Sequence, residues 1–229
     1  MKEEKDGMKS AVTIKEIVRD TCVDELIETG NNMLGVLGFT EHSRVHATRV
    51  STVAAKILKE LGYPERQVEL ARMAGYLHDV GNAVNRTDHA HSGAILVFQI
   101  LKDMNMEASE IATIVGAIGN HDEKTGTAFD PVSAALVLAD KTDVRRNRVR
   151  NQDMSKFDIH DRVNYAAISA DLQINVEDRI LHLDIQLDDS ICSVLDYFEI
   201  FLDRMIMCRR AAEILDTRFK LTANGSKVL

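Results

Sequence analysis

The stretch "GYLHDVGN", residues 75 to 82, sets an apolar run ending in Leu77 against two ionisable side chains, His78 and Asp79. Ahead of it, "ERQVELARMA" carries helical periodicity, so the pair stands at the end of a hydrophobic helix. An ionised carboxylate in such a place is costly unless it is paired or coordinated. A buried ion pair would satisfy it, and so would a metal. Neighbouring side chains on a helix point about 100° apart, so both can face one ion only where the helix frays or kinks. Gly81, just beyond, supplies such an end.

Outward from the pair, helical patterns fill the chain to about residue 150. "IKEIVRDTCVDELIETG" reads as a first helix with Gly30 as its stop. "HSRVHATRVSTVAAKILKELG" is a second, with Val50, Val53, Ile57 and Leu61 on one face. "SGAILVFQILKDM" and "ASEIATIVGAIGNH" follow the pair, and then "FDPVSAALVLADKTDVRRNRVR", with Asp130 as N-cap and Pro131 as the first helical residue. After that the period drops to two. Ile168, Ala170, Leu172 and Ile174 alternate with polar residues, as do Leu181, Leu183, Ile185 and Leu187, with "NVED" between them, which predicts a β-hairpin. An amphipathic helix on Ile191, Leu195, Phe198, Leu202 and Met205 comes next, and "RFKLTAN" reads as a short strand. The expected fold is mainly α: a metal-binding helical domain over residues 1–150 and a small C-terminal α+β appendage over 151–229.

A chain of 229 residues can bury a full core without staples. Its 28 Lys and Arg against 36 Asp and Glu give a net charge of −8, which speaks against wrapping a nucleic-acid backbone. Cys22, Cys192 and Cys208 form neither a zinc knuckle nor a disulfide framework, as suits a reducing compartment. The opening "MKEEKDGMKS" lacks the apolar segment of a signal peptide, and no run approaches membrane-spanning length. A soluble cytoplasmic chain, with no membrane or nucleic-acid partner, is therefore expected.

His78 and Asp79 are not alone in closing an apolar face. His46 lies four residues before Val50, His121 three after Ile118, and Asp140 four after Leu136, while His89 and His91 stand where a helix begins. Each alone reads as a core histidine or a helix cap. Together they bring imidazole and carboxylate to the inner faces of several helices, a mixture that suits zinc, iron, manganese or nickel better than calcium.

The ordered set His46, His78-Asp79, Asp140 resembles the HD-domain superfamily of metal-dependent phosphohydrolases. "HSRVHATRV", "AGYLHDVGN" and "LADKTD" carry the resemblance, over roughly residues 35 to 150. It implies a helical bundle whose ligands come in that order. Two-metal members add histidines between the pair and the last Asp. "DHAHSGA" resembles their His-x-x-x-Gly-Ala helix start and selects His89, with His91 the competitor; "GNHDEKTG" selects His121. The implied ligands are thus His46, His78, Asp79, His89, His121 and Asp140, with Asp79 bridging two ions; His42, one turn before His46, is expected to pack or face solvent rather than join an extra ion. One or two divalent ions of iron, manganese, zinc, nickel or cobalt are implied. Asn82 replaces the lysine that often follows the family's pair, so phosphate contacts must come from elsewhere. "GYP" at residues 62 to 64 precedes the pair instead of following the later histidines, which rejects a cyclic-dinucleotide phosphodiesterase.

The resemblance therefore implies hydrolysis of a phosphate ester or anhydride in a small phosphorylated metabolite or nucleotide. His78 and Asp79 serve as the catalytic pair, since divalent ions generate a nucleophile and relieve phosphoryl charge. Arg49, one turn after His46, and Arg145 and Arg146 in "DKTDVRRNRVR" are candidates for substrate phosphates. Two alternatives stay open, a mixed-valence di-iron oxygenase and a non-catalytic metal or nucleotide sensor. So does a homodimer formed through the hairpin edge and the long helix.

Overall fold

Helix α7 (Pro131–Lys141) is buried almost all round: every residue from Val132 to Ala139 is sealed from solvent. A helix with no polar face must lie at the centre of its neighbours. Around it pack α3 (Arg44–Glu60), α4 (Glu65–Leu77) and α6 (Ala108–Gly119), with α5 (His89–Asp103) against α6. The structure, a computed structural model, describes residues 11–151, 153, 157 and 159–229; the charged first ten residues lie outside it. Among the described residues, no helix is long and apolar enough to cross a membrane.

The expected first helix is two, α1 (Ile14–Arg19) and α2 (Thr21–Val36). Asp20 leaves helical backbone between them, and its carboxylate caps α2 by accepting from the amides of Cys22 and Val23 at 2.9 and 3.0 Å. Periodicity runs unbroken through this cap, which is why the pattern reads as one element. Nor does Gly30 end a helix. It sits buried within α2, where a Cβ would meet the amide nitrogen of Ala83 at 3.0 Å and Cβ of Asn82 at 3.1 Å. Its role is a close approach to the turn that follows His78 and Asp79.

The last body helix is also shorter than its pattern. α7 stops at Lys141, where the Thr142 hydroxyl bonds back to the Leu138 carbonyl at 2.6 Å. The basic run beyond is a loop with one 3-10 turn, Arg146–Arg148, not a continuing helix. Its guanidiniums tie it down: Arg148 donates to the Glu41 carbonyl at 3.0 Å and Arg150 to that of Asn31 at 3.0 Å.

Helix α8 (Ile159–Ala166) leads into a four-stranded sheet of order β1-β2-β3-β4. β1 (Ala167–Asn175) and β2 (Ile180–Leu187) form the expected antiparallel hairpin, pairing Leu172 with Leu183 and Ile174 with Leu181. β3 (Arg218–Ala223) runs parallel to β2, and β4 (Ser226–Lys227) antiparallel to β3. Parallel neighbours need a crossover, which α9 (Val194–Ile214) provides. The alternation holds on β2, where Leu181, Leu183, Ile185 and Leu187 are all buried. On β1 it slips at the start. A register shift between Ala167 and Ser169 buries Ala167 and turns Ile168 outward, 63% exposed. The apolar face of α9 also differs from the expected one. Tyr197, Phe201, Met205, Cys208 and Ala212 are buried, while Leu195 and Leu202 are exposed. The buried stripe centres on Tyr197 and Phe201, whose rings meet edge-on at 5.0 Å, on a helix that packs against α7.

Candidate metal centre

The chain breaks helical geometry at the point where two adjacent side chains must turn the same way. His78 caps α4 with helical backbone, whereas Asp79 takes φ −100°, ψ 2° and opens a 3-10 turn, Val80–Ala83. That turn is pressed onto the start of α5: a Cβ on Gly81 would stand 1.9 Å from the His89 carbonyl oxygen. Only glycine allows this approach, and it brings His89, the first residue of α5, beside the pair. His46 comes from the first turn of α3, Asp140 from the last turn of α7, and His121 from just past the end of α6.

Two nests of donor atoms result. Nε2 of His46 and Nε2 of His78 are 3.3 Å apart, and Oδ1 of Asp140 lies 3.4 and 3.6 Å from them. Oδ2 of Asp79 completes this nest, 3.1 Å from His78 and 3.6 Å from His46. In the second, Nε2 of His89 and Nε2 of His121 are 3.2 Å apart, and Oδ1 of Asp79 lies 3.6 and 4.0 Å from them. Asp79 therefore sends one oxygen to each nest. His91, the competitor of His89, is exposed and pairs at 3.8 Å with Asp88. His42 bonds the Thr40 carbonyl through Nδ1 at 2.7 Å and meets His46 edge-on at the rim.

The far side of each ring shows what the near side wants. Nδ1 of His46 faces Oδ2 of Asp143 at 2.7 Å, and those of His78, His89 and His121 face the carbonyls of Gly75, Arg86 and Ile118 at 2.9, 3.2 and 2.6 Å. Those oxygens accept only, so in the neutral ring each Nδ1 carries the proton and each Nε2 has the lone pair with which it would hold an ion. Two lone pairs facing each other at 3.2–3.3 Å repel unless a cation lies between them. A tetrahedral ion with bonds of about 2.0–2.1 Å spaces its ligands about 3.3–3.4 Å apart, close to the separations in the first nest. The residues fit a divalent transition metal.

Charge tells the same story. Burial would push the Asp79 and Asp140 carboxyls up, but His78 beside the first, and Lys141 with His46 and His78 beside the second, hold both well below the usual carboxylate range. Burial also disfavours a cationic His78, yet Asp79 and Asp140 raise it to about 10. His121, buried and next to His78, is pushed down and stays neutral. The carboxylates call for positive charge at the first nest; the proton taken up by His78 stands where a divalent ion would displace it.

The centre opens into a cleft of about 540 Å³ lined by Arg86, Lys124, the buried Arg148 and Arg204 together with several carboxylates. The arginines expected to meet phosphate stand elsewhere. Nε of Arg49 lies 2.8 Å from Oδ1 of Asp143, and Arg145 grips the same carboxylate at 2.7 and 3.0 Å. Arg146 bonds the Tyr165 carbonyl and Asp188, with its guanidinium 4.8 Å from the centre of the Tyr165 ring. Asn82, in the place of the family's lysine, orients Asp79 by donating to Oδ1 at 2.8 Å and receives Arg86 at 3.3 Å. Asp143, Arg86, Glu123 and Arg204 carry no periodic or motif signature of their own, although Asp143 follows Asp140 by three residues in "LADKTD", Glu123 follows His121 by two in "GNHDEKTG" and Arg86 precedes His89 by three.

A model of the HD domain matches residues 44–162, just over half of the chain. An uncharacterized protein of Methanocaldococcus jannaschii is 28% identical over 169 residues, which cover 63% of this chain and 64% of that one. Ribonuclease Y of Oceanobacillus iheyensis is 24% identical over 163 residues, covering 65% of this chain and 29% of that one. The chain thus spans less than two thirds of the length of either relative. A solved structure, a predicted HD superfamily hydrolase from an uncultured Thermotogales bacterium, aligns with a TM-score of 0.43 and 22% identity over 58% of this chain and 75% of that one.

Proposed function

The chain belongs to the HD-domain family, and from that premise we propose that it is a metal-dependent phosphohydrolase cleaving a phosphate ester or anhydride of a small nucleotide-like molecule. One observation carries the reading: four imidazole lone pairs face one another in two nests joined by the two oxygens of Asp79, at the floor of an open cleft. His46, His78, Asp140 and Asp79 would hold one ion; His89, His121 and Asp79 would hold the other. When bound, divalent ions supply Lewis acidity at phosphoryl oxygens and a nucleophile at neutral pH.

The chain's own residues do the rest. Asp143 and the three backbone carbonyls fix the ring orientations, so the donors need little rearrangement. Arg86, Lys124, Arg148 and Arg204 line the cleft among the carboxylates of Asp79, Asp88, Asp122, Glu123, Asp140 and Asp161, so bound divalent ions would supply the positive charge that draws a phosphate there. The acidic chain as a whole, with a net charge of −8, favours a small anion held at the ions over a long polyanion. The cleft volume, about 540 Å³, is of the size that takes a small ligand. Arg86, a cation in this cleft, reaches Asn82 and, at 3.4 Å, Nε2 of His89.

Phosphate release from a panel of nucleotides, sugar phosphates and a short oligoribonucleotide tests the reading, with Mn²⁺ added and with chelator. Metal-dependent release from small esters or anhydrides is expected, and Arg86→Ala should mainly raise KM by about tenfold, one charged contact of about 1.4 kcal/mol. Turnover that consumes dioxygen and releases no phosphate would overturn it.

A further inference from the structure

Lys141 follows Asp140 in the chain, and its ammonium is buried. Nζ sits 2.7 Å from Oδ2 of Asp140 and 2.9 Å from Oε2 of Glu123. Oδ1 of the same Asp140 is the oxygen that faces His46 and His78. The carboxylate is thus divided, one oxygen on a fixed cation and the other toward the first nest. Glu123 carries the chain of charges further. Its Oε1 accepts from Nε of Arg204 at 3.2 Å, and the Arg204 guanidinium is held 4.5 Å above the centre of the Phe201 ring. Arg204 and Phe201 belong to α9, beyond the residues the family model matches.

We propose that Arg204 is a positioning residue for the metal centre: acting through Glu123 and Lys141 it orients Asp140, so that the appendage completes a site otherwise built by the helical body. The proposal rests on Asp140 being a metal ligand. An ammonium 2.7 Å from a ligand carboxylate competes with the ion for it, and more strongly where water is scarce. Glu123 offsets that competition by drawing the ammonium the other way, and it can do so only while Arg204 holds it in place. Without Arg204 the Glu123 carboxylate, 18% exposed, turns toward water. Lys141 then settles wholly on Asp140 and pulls Oδ1 off the nest.

Simple charge counting predicts the reverse. Deleting a cation near a cation site removes repulsion and tightens ion binding. The sign of the effect therefore separates positioning from bulk electrostatics. Mn²⁺ alone is the probe, titrated into the full metal-free chain with free Mn²⁺ read by electron paramagnetic resonance, so no substrate is needed. Arg204→Gln should weaken Mn²⁺ binding on the order of tenfold, as loss of a residue that orients a ligand does. Arg204→Lys, which can still reach Glu123, should recover most of it. Unchanged or tighter binding in a folded Arg204→Gln overturns the proposal. Should that variant melt below the assay temperature, Glu123→Gln decides: a comparable loss supports the relay and unchanged affinity overturns it. A wild-type chain that binds no Mn²⁺ would sink the metal centre and the relay together. One that binds it but releases no phosphate would sink the hydrolase alone.

Discussion

At the scale of single residues the tightest constraint falls on His46. Its Nδ1 meets Asp143, which is sealed from solvent at 1% exposure and also receives Arg49 and Arg145. Burial would push the Asp143 carboxyl up, but His46, Arg145 and Arg148 hold it well below the ordinary range, so it stays ionised at neutral pH. Asp143→Asn keeps the shape but can offer its amide N–H to the ring, which moves the imidazole proton to Nε2 and cancels a metal donor. Metal affinity should fall about 10–100-fold with the helices intact, as isothermal titration with Zn²⁺ and circular dichroism would show; unchanged affinity contradicts this account of His46. Asp143 was illegible because its meaning lies 97 residues away and it sits within a basic run that looks like a solvated helix end. The six ligand candidates were legible for the opposite reason. Most of them place an ionisable group where an apolar face would otherwise continue or begin, and it was the ordered resemblance to the family, not any one position, that implied the full set. The choice of His89 over His91 rested on the family resemblance of "DHAHSGA", and the structure adds its physical basis: the left-handed backbone at Asp88 and the start of α5 leave His89 buried and His91 exposed.

At the scale of elements, glycines set how closely the pieces that carry ligands approach. Gly75 lets α4 touch α3, where a Cβ would come within 2.7 Å of Cα of Ser51, and Gly81 lets the 3-10 turn touch α5. Gly81→Ala must push the His89 carbonyl away, because backbone cannot yield as a flexible side chain does. The strain should cost about 1–3 kcal/mol of stability. It should also empty the nest of His89 and His121 before that of His46 and His78. Thermal melts and metal content check both, and a variant with wild-type content and melting temperature would contradict the packing argument. The cap-initiated α7 and the hairpin were readable because their signals are local: Asp130 and Pro131 in one case, period-two alternation in the other. The break at Asp20 and the end of α7 were not. Both are made by single side chains, Asp20 and Thr142, inside sequence whose periodicity continues past them.

At the scale of the whole molecule, the appendage covers the body. α9 packs on the central helix α7 and buries Tyr197 and Phe201, and Phe201 and Arg204 also line the cleft. A chain ended at Arg150 would bare that apolar face, and a newly exposed patch of this kind drives association. Light scattering should find it aggregated; a soluble, monodisperse product with native helix content would show instead that residues 1–150 stand alone. The exposed Leu195 and Leu202 were mistaken for the packing stripe because two faces of α9 carry apolar residues, and only the position of α7 decides which is inner. The central claim, two ions bridged by Asp79, is open to one direct measurement. Protein purified without added metal or chelator is loaded with Mn²⁺, freed of excess and analysed for metal per chain, alongside His121→Ala and His78→Ala. The account predicts two ions in the wild type and one in His121→Ala. His78→Ala should hold at most one, since it takes a donor from the nest of His46 and Asp140. Full wild-type metal content in both variants, or a wild-type chain that holds no metal at all, would contradict it.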